Sequence, residues 1–132
     1  MNRRLALGLI ALGTVSAAGA CEPDEGMVAL SAEHRSPDAV FVGIDPITVA
    51  QPFGLLVQIC STDQSLPERI EVDAEMPAHK HGMNYDPVVK RQQKDLFEAT
   101  NLLFHMPGAW RLWVTTHRGT TATRHNLDLT VK

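Results

Sequence analysis

The sequence predicts an all-β protein, an antiparallel β-sandwich, and three observations predict it. Apolar residues recur with a period of two in run after run. The runs are short, and Gly, Pro and Asp punctuate the intervals between them. About seven such runs follow residue 20, the number and spacing of a small two-sheet domain. A small up-and-down barrel is the second architecture these periods allow, since alternation does not distinguish two packed sheets from one closed sheet.

Residues 1–20 stand apart from that pattern. MNRR is a short positive head, LALGLIALG an apolar run, and Ala18, Gly19 and Ala20 form a small-residue cleavage site. That is the layout of a secretory signal peptide, and the apolar run is too short to span a bilayer. The expected domains are therefore a signal peptide over 1–20 and one sandwich over 21–132, with the periplasm as the expected location. Losing Arg3 and Arg4 leaves ten basic against fifteen acidic residues. An exported chain of that balance has no electrostatic footprint for nucleic acid.

Two cysteines remain, Cys21 and Cys60. In an oxidising compartment an even pair reads first as a disulfide. It would close a loop of roughly 40 residues, for about 2–4 kcal/mol. AGAC also forms a loose lipoprotein box, without the usual Leu or Val three residues before the cysteine. A lipid on Cys21 excludes the disulfide, so the two readings compete.

The elements follow in order. MVALSAEHR, 27–35, alternates partially and reads as a first strand; Ser36, Pro37 and Asp38 turn the chain into AVFVGI. QPFGLLVQIC, 51–60, places Phe53, Leu55, Val57 and Ile59 on one face. ERIEVDAEM sets Ile70, Val72, Ala74 and Met76 against Glu71, Asp73 and Glu75, which puts Met76 inward at the strand's last position. Residues 77–91 have no period and read as a long loop. KDLFEATNLLF tolerates a helix but, lying between strand-like runs, reads as a strand. WRLWVTTHR alternates, and TTATRHNLDLTVK closes the domain with Leu127, Leu129 and Val131 on one face. Trp110 and Trp113 have opposite register, so one anchors the core and the other is outward or covered by the long loop.

The chemistry-bearing residues lie where strands end. MPAHKHGM, 76–83, sets Met76 and Met83 around His79 and His81, with Gly82 giving the freedom for a bend. HMPG, 105–108, repeats a Met-Pro pair after an apolar strand and adds His105 and Met106. Loops leaving one end of a sandwich gather together, so all six side chains are candidates for one site. Thioether and imidazole are neutral donors that suit copper(I), whereas methionine is a poor zinc ligand. The ordinary alternative is that Met76 caps the core and the histidines are solvated. His34, His117 and His125 stand alone and read as surface or hydrogen-bonded residues. A second metal between His117 and His125 requires their strands to pair in register.

The strings AEMPAHKHGMNYDP and NLLFHMPGAWRLWV resemble those of small exported bacterial proteins with a YtkA-like domain, related to the copper-handling CopC-type proteins. The resemblance covers two blocks, 74–87 and 101–114. It implies an immunoglobulin-like fold, a periplasmic copper role, and a ligand set drawn from Met76, His79, His81, Met83, His105 and Met106. It does not carry over a copper(II) site built on an N-terminal amine and histidine, because the exported chain begins CEPD. Copper(I), or a mixed site of lower copper(II) affinity, is the expected cargo. Another periplasmic or membrane copper protein is the expected partner.

No G-x-S-x-G, H-E-x-x-H or C-x-x-C-H motif is present, and no Ser or Cys has an evident base nearby, so the chain reads as a binding protein rather than an enzyme. A domain that docks on the cell envelope through residues 77–91, without metal, is the alternative from another class. Convergence of the two motifs favours metal; their separation to opposite ends of the sandwich favours docking.

Overall fold

The computed structural model describes residues 21–62 and 65–132; the expected signal peptide lies outside the described residues. The chain folds into two antiparallel sheets of five strands each. One sheet contains β1 (Val28–Ala29), β3 (Asp38–Ile44), β4 (Phe53–Ser61), β8 (Leu96–Leu102) and β7 (Val88–Arg91), in the order β1-β3-β4-β8-β7. The other contains β2 (Ser31–Ala32), β10 (Thr121–Val131), β9 (Gly108–Arg118), β5 (Arg69–Met76) and β6 (His81–Gly82), in the order β2-β10-β9-β5-β6.

The period-two runs do what their sequence dictates. Phe53, Leu55, Val57 and Ile59 on β4, and Ile70, Val72, Ala74 and Met76 on β5, are all buried between the sheets. Glu71, Asp73 and Glu75 lie on the opposite face of β5, opposite Thr115, Trp113 and Arg111 of β9. That outer face is charged: Glu71 pairs with Arg69 and His117, and Arg111 with Asp128.

Two elements differ from the sequence reading, and a third that tolerated a helix is the strand it was read as. Residues 27–35 are not one strand: β1 joins one sheet and β2 the other, with buried Leu30 at the crossing, its N–H donated to Val40 O. A single apolar residue between exposed neighbours fits a strand that changes sheets rather than one that stays in either. Residues 77–91 are not a long loop; they contain β6 and the edge strand β7, whose four residues are too few and too exposed to display a period. The ambiguous 94–104 segment is strand β8, held between β4 and β7.

The tryptophans separate as their register requires. Trp110 is in the core, stacked on Phe104 with ring centroids 4.5 Å apart. Trp113 is on the outer face and is covered by arginines rather than by the 77–91 segment: the Arg124 guanidinium lies 3.6 Å over its ring, and its Nε1 donates to Glu75.

The sandwich is fastened at one end. Cys21 and Cys60 are joined by a disulfide, with Cα atoms 5.4 Å apart. Beside it Arg118 of β9 pairs across the sheets with Asp38 of β3 and donates to Ser61 Oγ. Phe53, at the other end of β4, is seven residues from Cys60, so at ~3.3 Å per residue the opposite end lies ~23 Å away.

Candidate metal centre

At that opposite end the two motifs meet. β5 ends at Met76, and a four-residue turn returns the chain as β6, with Met76 opposite His81 and Glu75 opposite Gly82. The N–H groups of His79 and Lys80 both donate to Met76 O, at 3.1 and 2.9 Å. The left-handed residue that closes this turn is Lys80 (φ 52°), not Gly82. A lysine there is an uncommon choice for that backbone region. The turn brings His79 out to solvent at its tip and leaves His81 half-buried at its base.

The second motif arrives from the facing sheet. β8 ends at Leu102, Phe104 is fully buried, and the chain crosses through His105, Met106 and Pro107 to begin β9 at Gly108. Two hydrogen bonds fix this crossing. Ala50 donates its N–H to Phe104 O at 2.8 Å, and Trp110 donates its Nε1 to Met106 O at 3.0 Å. Phe104 rests on Phe53 at 4.9 Å, so the crossing stands on an aromatic floor of Phe53, Phe104 and Trp110.

His81 and His105 have ring centroids 5.1 Å apart, and His79 and His81 have theirs 5.7 Å apart. Trp110 presents an edge-to-face contact to both inner rings, 5.4 Å from His105 and 6.1 Å from His81. Met76 is buried with its Cε against Gly108, while Met83 and Met106 are half-buried and pack on the core. All six candidate residues thus belong to one end of the sandwich. Tyr85 is about half exposed, whereas Phe104 is fully buried.

Two imidazoles on one ion, with bonds of about 2.0 Å, would have ring centroids roughly 5–6 Å apart. The observed separations have that size. His105 Nδ1 is buried and has no hydrogen-bond partner among the described residues, as is also true of both ring nitrogens of His125. His81 Nδ1 lies 3.4 Å from Gly82 O, and a hydrogen on that nitrogen leaves Nε2 as the donor. No acidic residue occurs in 76–83 or 105–108, and neighbouring Glu75 is turned to the outer face to accept from Trp113.

Among the described residues no group of three or more His, Cys, Asp or Glu side chains is arranged to hold a metal ion. The histidines alone therefore do not make a centre. The pairing of His117 with His125 is overturned. His125 is opposite Val114 and faces the core, whereas His117 lies on the outer face beside Glu71. Register puts the two rings on opposite sides of the sheet.

The chain was compared with family models, curated proteins and solved structures. No match was found in any of the three. The resemblance to YtkA-like domains thus rests on the two motif strings themselves. Sequence reading missed the contacts of Gly108 and Trp110, because only the tertiary packing sets Gly108 against the Met76 methyl and Trp110 against His81 and His105.

Proposed function

We propose that this chain is an exported copper-binding protein of the periplasm, a carrier or buffer of copper(I), built on an immunoglobulin-like sandwich related to YtkA-like domains. The observation that carries the reading is the 5.1 Å separation of His81 and His105, which come from different motifs and different strand ends. Donors drawn from Met76, His79, His81, Met83, His105 and Met106 are uncharged, so they match a soft monovalent cation. The aromatic floor and the Trp110–Met106 hydrogen bond hold them in place without occupying them.

Thioether ligands release copper(I) without taking up a proton, which suits a protein that exchanges its cargo. His79 is exposed and His81, Met83, His105 and Met106 are half-buried, so a second copper protein has access to the set. The test is the exported protein carrying Met76→Leu, His79→Ala and His105→Ala together. The wild type should bind one equivalent of copper(I) and bind zinc more weakly. The triple variant should keep its circular dichroism and lose copper(I); unchanged stoichiometry overturns the assignment.

A second reading, a cell-envelope interaction domain without metal, draws support from the lack of a His, Cys, Asp and Glu cluster among the described residues and from Tyr85 and Val88, exposed to 51% and 48%. It is favoured if the wild type takes up no copper(I) in the same titration.

A further inference from the structure

Met76 and Gly108 meet where the two motifs touch. Gly108 opens β9 with φ +129°, a conformation that L side chains rarely adopt. A Cβ built there would stand 2.9 Å from Met76 Cε, closer than real Cβ contacts come. Met76 is 2% exposed and belongs to the core cluster, so its terminal methyl cannot retreat into solvent. Sulfur is bonded to that methyl, and any shift of Cε therefore displaces the thioether lone pairs as well.

We propose that Gly108 determines the metal specificity of this end of the sandwich: by leaving the space of a Cβ empty, it seats the Met76 thioether beside the histidines and makes the centre select a soft monovalent cation over a divalent one. The inference rests on the copper reading and deepens it. Of the three candidate sulfur donors Met76 alone is buried, and its methyl is the atom that a Cβ at Gly108 of the adjacent strand would meet. Imidazole serves copper(I), copper(II) and zinc alike, so the selectivity must come from sulfur. Gly108 is a positioning residue, acting through Met76 and never touching the ion.

The test uses the exported protein, with copper(I) and zinc as probes in competition with chelators. G108A should lose about 10–100-fold in copper(I) affinity, the range for groups that orient a ligand, with zinc affinity unchanged. M76L should show the same loss, and G108A/M76L no further loss than M76L alone. Backbone strain at position 108 is common to both backgrounds, so it lowers stability in each but does not reproduce this coupling. If G108A does not fold, methyl-labelled methionine spectra of the wild type take its place, and the Met76 methyl resonance should move with copper(I) and stay put with zinc. A folded G108A that keeps its copper(I)-over-zinc preference overturns the proposal. So does an additional loss in the double variant, or a Met76 methyl unmoved at saturating copper(I). Copper(I) binding with Met76 unmoved removes this inference alone, whereas no copper(I) binding by the wild type removes the copper reading with it.

Discussion

His81 and His105 stand with ring centroids 5.1 Å apart, one at the base of the β5–β6 turn and the other on the crossing into β9. His79, by contrast, is at the exposed tip of the turn, with its ring 5.7 Å from that of His81. The three rings should therefore contribute unequally. H81A and H105A should each lower copper(I) affinity by about tenfold or more, and H79A by clearly less. Chelator competition on the three single variants reads the order, and equal losses would contradict the geometry.

Trp110 touches both inner rings, and Trp113 lies on the opposite face of the same strand. Copper should therefore quench one tryptophan and spare the other. W113F should keep most of the copper-dependent quenching of the wild type and W110F should lose most of it. Steady-state emission during a copper titration measures this directly.

Arg118 joins the sheets through Asp38, whose side chain is 1% exposed. R118M leaves that carboxylate buried without its partner, at a cost of about 3–5 kcal/mol. For a domain of this size the unfolding midpoint should fall by more than about 10 °C. Copper(I) affinity of the folded fraction should not change, because the pair is at the other end of the sandwich.

His125 is 1% exposed and neither of its ring nitrogens has a hydrogen-bond partner among the described residues. Burying those nitrogens unpaired is unfavourable, and leucine has a similar volume. H125L should stabilise the domain by about 1–2 kcal/mol. Denaturant unfolding checks the sign, and a lower midpoint would show that the imidazole has an unseen partner.

Acid should act through the outer face. The hydrogen bond from Arg69, then that from His117, holds the Glu71 carboxyl below its ordinary 4.5. The hydrogen bond from Arg111 likewise holds Asp128 below 3.8. Depressed folded values mean stability that is fully present above those ordinary values and lost as pH falls through the lowered ones. Both carboxylates are mostly exposed, so the loss is small. E71Q should flatten the decline of the thermal midpoint below about pH 4.5 and lower the neutral value by the same small amount, since the charged Glu71 contributes there.

Much of the fold was legible in the residues themselves. The inward set on β4 and β5, Met76 at the end of its strand, and the opposed tryptophans all follow from a side-chain period of two, a local property of extended backbone. Where the chain left its period, legibility stopped. The split of residues 27–35 between two sheets, the edge strand β7, and the left-handed Lys80 in place of Gly82 depend on hydrogen-bond partners distant in sequence.

The amino-acid order by itself determined which side chains are apolar, which are soft donors, and that both Met-Pro motifs stand where strands end. Tertiary structure alone decided that these ends coincide, that Gly108 rather than another residue faces Met76, and that His117 and His125 lie on opposite sides of one sheet. The physical reason is register. Alternation fixes a residue's face within its own strand, but the pairing of β5, β9 and β10 sets which strands share that face and which residues stand opposite.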